Sequence, residues 1–94
     1  MINVYDQMAI KIIKEQELLI GPVAWNQASK VSGLRIIADK QSVEIEGGHE
    51  SIVIDNLVDR FEKLFGRAGR EVCKEAVSAL IADLKPAEIP SSLK

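Results

Sequence analysis

The chain carries one histidine, His49, and one cysteine, Cys73; its other reactive groups are carboxylates, lysines and arginines. A zinc site draws on several imidazoles and thiolates. One of each, with a whole predicted helix between them, does not supply that set. Glu44 and Glu46 project from the same side of a predicted strand, as two carboxylates sharing acid and base work would. Charges on that side of a hairpin are also its ordinary solvated face, and a substrate cleft between them is more than so short a chain readily builds. Gly47-Gly48-His49-Glu50-Ser51 opens a helix, where free amides can take an anion. The run matches neither a P-loop nor a dinucleotide fingerprint, and Glu50 repels phosphate, so it reads as a turn and a helix cap. Arg70 and Lys74 lie near Cys73 and would lower a thiol pKa, but Cys73 falls on an apolar stripe and reads as inert and buried. No complete catalytic constellation emerges, and the expectation is a protein that is not an enzyme and takes no metal or cofactor.

A second cluster is basic: Arg60, Lys63, Arg67, Arg70 and Lys74. Together with a helix leading into a hairpin over residues 24–46, it raises the possibility of a winged-helix reader of nucleic acid. The recognition helix of that arrangement offers only Lys30 with the polar Asn26, Gln27 and Ser29. Glu62, Glu71 and Glu75 interrupt the cations, and the outer face of the hairpin is acidic, which phosphate disfavours. The net charge of −2 gives no general attraction to nucleic acid or to an anionic membrane. A nucleic-acid-associated regulator using residues 60–74 therefore stands as the alternative reading.

The elements that position these groups follow from periodicity. Tyr5, Met8, Ala9, Ile12, Ile13, Leu19 and Ile20 recur at helical spacing and predict a helix over about 4–20 with these residues inward. Ile10 and Leu18 fall off that stripe and widen the apolar surface, either for a second neighbour inside the monomer or for another chain. Gly21 ends the helix and Pro22 suits the first turn of the next, which runs to about Val31 with Val23, Ala24, Ala28 and Val31 facing in. Trp25 lies beside that small-residue stripe; in a chain with only four aromatic residues it either plugs the core or anchors an interface. Residues 34–38 and 43–46 read as strands around the turn 39–42, with Ala38 opposite Val43, Ile36 opposite Ile45 and Arg35 opposite Glu46. One face of that hairpin is aliphatic, and since an isolated hairpin is marginal in water it must lie on the helices or join a partner's strands. A third helix is expected from Glu50 or Ser51 to Phe65, with Ile54, Leu57, Val58, Phe61, Leu64 and Phe65 inward. Gly66 ends it. The last helix runs from about Ala68 to Leu84 and is stopped by Lys85-Pro86.

The two helix pairs resemble each other. Setting Gly21 on Gly66, a shift of 66 − 21 = 45 residues, matches Glu17 with Glu62 and Leu19 with Leu64, and puts Ala24 on Gly69 and Ala28 on Cys73. Any helix, glycine corner and helix with small residues after the corner would give a similar match, because small residues let two helices cross closely. The run Leu19-Ile20-Gly21-Pro22-Val23-Ala24, followed by Ala28, resembles the "IGPxA" corner of small helical modules attached to bacterial signalling proteins, including kinases, cyclases and response regulators. It covers about ten residues, and the Gly66 copy departs from it, with Arg67 and Gly69 in place of proline and alanine. Those modules have no assigned catalytic residues, so the resemblance implies a regulatory or assembly context and transfers no site.

At 94 residues and 47% apolar composition the chain has room for one domain and one core. The fold expected is α+β, four helices with one two-stranded antiparallel hairpin in the order ααββαα, occupying residues 1–85 with residues 86–94 as an extended or loosely docked tail. A chain of this size leaves much of its surface uncovered, which favours self-association. The first-helix surface at Ile10 and Leu18, with Trp25, is the candidate protein interface, and the function expected is a self-associating, protein-binding module. A lone cysteine, no basic leader followed by an apolar run, and no stretch of about 18 apolar residues give the expectation of a cytoplasmic protein that does not enter the membrane.

Overall fold

The computed structural model describes residues 4–37, 43–45 and 48–93. Along the chain run α1 (Val4–Ile20), α2 (Val23–Ala28), β1 (Leu34–Ile36), β2 (Val43–Ile45), α3 (Glu50–Phe65) and α4 (Arg67–Ile81). This is the α+β order ααββαα. Two 3-10 turns, Pro86–Glu88 and Ser91–Leu93, follow.

The core is aliphatic. Met8, Ala9, Ile12 and Ile13 of α1 meet Val53, Ile54, Leu57, Val58 and Phe61 of α3, with Cys73 and Val77 of α4. Three observations fix the helix directions. At the start of α1 the Tyr5 hydroxyl donates to the Glu88 carbonyl, just beyond α4, at 2.8 Å. Near the end of α1 the Gln16 side-chain Nε2 donates to the Gly69 carbonyl, in the first turn of α4, at 3.0 Å. α1 and α4 are thus antiparallel. α3 and α4 are joined at a single glycine and also run antiparallel, so the C-terminal ends of α1 and α3 share one end of the molecule, and both glycine corners lie there.

The hairpin caps the other end. Leu34 pairs with Ile45, Arg35 with Glu44 and Ile36 with Val43. This register is two residues from the expected one, which set Arg35 against Glu46 and Ile36 against Ile45. A shift of two leaves every side chain on its original face: Leu34, Val43 and Ile45 are still buried, and Arg35 and Glu44 are still exposed. The aliphatic face alone therefore cannot distinguish the two registers. Ala38 and the turn 39–42 lie outside the described residues, as does Glu46. Arg35 and Glu44 form an exposed ion pair at 2.9 Å, worth at most about 1 kcal/mol. The hairpin lies on α1, where the Asp6 carboxylate accepts the Ile45 amide at 3.2 Å.

Residues 86–93 correct the expectation of an extended tail beyond residue 85. They fold back as the two turns. Pro90 and Leu93 are buried. Asp55 of α3 accepts the Ser92 amide at 3.0 Å, the Ser92 hydroxyl at 2.6 Å and the Ser91 hydroxyl at 3.1 Å. The packed unit extends through the second turn.

Candidate protein-binding surface at the corner end

Both corners are built by the same hydrogen bonds. The Gly21 amide donates to the Glu17 carbonyl at 2.8 Å and the Ala24 amide to the Gly21 carbonyl at 3.1 Å; the Gly66 amide donates to Glu62 at 2.7 Å and the Gly69 amide to Gly66 at 3.0 Å. Each pair maps onto the other at the 45-residue shift read from the sequence. Both glycines have positive φ, 79° at Gly21 and 70° at Gly66, which side chains with a Cβ adopt only with strain. The small residue three positions on is buried in both copies, Ala24 and Gly69. A Cβ added to Gly69 would lie 2.6 Å from the Phe61 carbonyl oxygen, so α3 and α4 cross in direct backbone contact there.

The copies differ in length after the corner. α4 has 15 residues, whereas α2 has 6, shorter than the stretch from Pro22 to Val31 expected for it. Six residues rise only about 9 Å. A helix that short covers little, and the last turns of α1 and α3 extend past it. Leu19, Val23, Leu64 and Phe65, all expected to face inward, are instead exposed, and Leu18 is the most exposed large apolar side chain among the described residues at 79%. The position Leu19 was expected to fill on the inward stripe of α1 belongs to Gln16, which lies four residues after Ile12 and three after Ile13 and is 1% exposed. Its polarity hid a position that the spacing marks.

The other two expected interface residues lie elsewhere. Trp25 is 3% exposed and belongs to the core, one of the two places considered for it. Buried there, it presents no interface anchor. Ile10 is half-buried against the same core. Of the three, only Leu18 belongs to the exposed corner end, where Leu19, Val23, Leu64 and Phe65 join it.

The basic cluster divides. Arg60 reaches back to α2, donating through Nε and Nη2 to the Gln27 side-chain oxygen at 3.0 and 2.8 Å. Arg70 donates from Nε to the Ser92 carbonyl at 3.0 Å and lies 3.7 Å from Glu62. These two guanidinium groups hold α2 and the C-terminal turn in place. Lys74 is half-buried, and Lys63 and Arg67 are exposed at the second corner. A cleft of about 390 Å³ between α2 and α3 is lined by Lys30, Ser32, Asn56, Asp59, Arg60 and Lys63, among others. His49 sits at the start of α3 and is exposed, and no group of three or more His, Cys, Asp or Glu with metal-binding geometry occurs among the described residues.

Cys73 is fully buried, and burial pushes its thiol up to about 11, against a smaller lowering from its contact with Gln16 at 3.6 Å. A thiol in that state is protonated and unreactive at neutral pH, despite the cations near it in sequence. Among the described residues Gln16 is the one buried polar side chain, and its Oε1 has no hydrogen-bond partner there.

Comparison of the chain with protein-family models, with curated proteins and with solved structures returns no match. No helix among the described residues is long and apolar enough to cross a membrane.

Proposed function

We propose that the protein is a non-enzymatic assembly or regulatory module that binds protein through the corner end and associates with itself. One observation carries the reading: five large apolar side chains, Leu18, Leu19, Val23, Leu64 and Phe65, stand exposed on one end of a small molecule. Scattered surface leucines are ordinary, but a cluster drawn from two separate helix ends is the usual mark of a protein contact. The likeness of the first corner to modules attached to bacterial signalling proteins adds a context, cytoplasmic signalling, in which small non-catalytic domains hold larger ones together. Two of the five cations of the nucleic-acid alternative, Arg60 and Arg70, are committed to internal hydrogen bonds, which weakens that reading.

Sedimentation equilibrium from low to high micromolar concentration tests the proposal. A mass approaching twice the 10.3 kDa of the chain, lost on replacing both Leu18 and Leu19 by Asp, is the expected result. A strict monomer at high micromolar concentration removes the self-association. Salt-sensitive binding to mixed-sequence duplex or single strands would favour the nucleic-acid alternative instead.

A further inference from the structure

The cleft beside α2 gathers positive charge. Asn56, Asp59, Arg60 and Lys63 stand at the spacing i, i+3, i+4 and i+7, which sets them on one face of α3, and the chain leaving α2 brings Lys30 and Ser32 to the same cleft. Lys30 and Lys63 are exposed and form no ion pair among the described residues. Arg60 is half-buried, and its guanidinium is held by the two hydrogen bonds to the Gln27 side chain, a neutral partner that fixes the group without cancelling its charge. Asp59 is the one carboxylate of the lining, so three cations there face a single anion.

We infer that this cleft binds a small phosphate monoester, with Lys30, Arg60 and Lys63 taking the phosphate. A monoester carries a charge of about −1.5 to −2 at neutral pH, which matches the surplus of cations on the lining; a lone carboxylate or a diester link would leave part of that surplus uncompensated. Ammonium and guanidinium donors make strong, charge-assisted hydrogen bonds to phosphate oxygens. Because Gln27 already holds the Arg60 guanidinium, less side-chain freedom is lost when a ligand arrives. Ser32 and Asn56 add uncharged donors, and Val31 and Leu64 give an apolar wall for the body of the ester. The volume of about 390 Å³ falls within the roughly 300–1,000 Å³ of small-molecule sites. The site is separate from the protein contact proposed above: of the five apolar side chains at the corner end, only Leu64 lines it.

Titration of the full chain with adenosine 5′-monophosphate, followed by amide chemical shifts, tests the assignment. The largest shifts are expected at Lys30, Ser32, Asn56 and Lys63, saturating below about 10 mM ligand. Lys30→Ala and Lys63→Ala, exposed positions whose replacement leaves the fold intact, should each weaken binding about tenfold. Arg67→Ala is the control: Arg67 belongs to the same basic run of sequence but does not line the cleft, and its loss should leave the affinity unchanged. No saturating shift by about 10 mM overturns the site. An Arg67→Ala variant that loses as much as Lys63→Ala also overturns it, because binding then follows surface charge in general, as the nucleic-acid alternative requires. Adenosine binding as tightly as its monophosphate shows that the phosphate is not recognised, and inorganic phosphate binding as tightly shows that the ester body is not; either result overturns the assignment of a monoester. The shifts are read whether the chain is a monomer or a dimer, so the outcome is independent of the self-association.

Discussion

Gly66 and Gly69 each refuse a methyl group, for different reasons. At Gly66 a Cβ would meet nothing within 4 Å, but φ of 70° with ψ of −158° is a backbone region that only glycine occupies readily. At Gly69 the obstacle is the Phe61 carbonyl oxygen 2.6 Å away, a backbone atom that cannot step aside. Gly66→Ala and Gly69→Ala are each expected to lower unfolding stability by about 1–3 kcal/mol in urea titration. Gly66→Asn separates the causes: asparagine tolerates the left-handed helical region but not this one, so it should do no better than alanine, and substantial recovery would mean the corner relaxes. Cys73 gives a pH-dependent counterpart. Its folded-state pKa of about 11 lies above its ordinary 9.0, so the folded state holds the proton more tightly. The resulting stabilisation is full below about pH 9 and is lost as pH rises towards 11, a change on the order of 2 kcal/mol. Burial pushes the Tyr5 hydroxyl up from 10.0 as well, with Glu88 and Glu50 adding to it, so the Cys73 share is read by difference. The stability gap between the parent and Cys73→Ala should narrow over that range, and a gap independent of pH would contradict the burial of the thiol.

At the scale of elements, the C-terminal turn is the clearest test of what holds the helices together. Removing residues 91–94 takes away the buried Leu93 and the three hydrogen bonds into Asp55. Leu93 alone contributes about 2 kcal/mol and each hydrogen bond to the Asp55 carboxylate about 1 kcal/mol or more, so the truncated chain is expected to lose about 3 kcal/mol or more in urea titration; an unchanged midpoint would return the tail to the status of a loose extension. No sequence pattern announced this docking, because a turn built from prolines and serines has no hydrophobic period. The long helices were legible for the opposite reason: α1 and α3 repeat apolar residues over four turns and more, and their bounds fall where periodicity and the glycine corners put them. Burial in their last turns was not legible. Whether Leu19 or Leu64 is covered depends on the length of α2, and the run from Pro22 to Val31 carries no stop signal at Ala28. Gln16 is the converse case, where spacing gave the right face and residue type argued against it.

On the scale of the whole molecule, five of the six exposed large apolar side chains among the described residues lie at the corner end, and the sixth, Ile52, lies near the start of α3. The helices, the hairpin and the C-terminal turns fill a body of 32 × 29 × 21 Å, and the core is continuous from Met8 to Leu93, so the exposed corner end is not a sign of a poorly formed interior. The sequence pointed to a partner through short length and surplus apolar surface, and placed the contact at Ile10 and Leu18, which fall off the helical stripe, and at Trp25, for which core and interface were both open; the core claimed Trp25. Self-association through the corner end has a consequence for stability. A partner that binds only the folded state raises its stability by mass action, and for a homodimer the partner is the protein itself. The urea midpoint of the parent should therefore fall on dilution from high to low micromolar concentration. The Leu18→Asp, Leu19→Asp variant should show a midpoint independent of concentration and equal to the dilute limit of the parent, because both side chains are already exposed in the monomer and their replacement costs it less than about 0.5 kcal/mol. If instead the parent midpoint does not move with concentration, a second copy does not cover the corner end, and the five apolar side chains await a different protein.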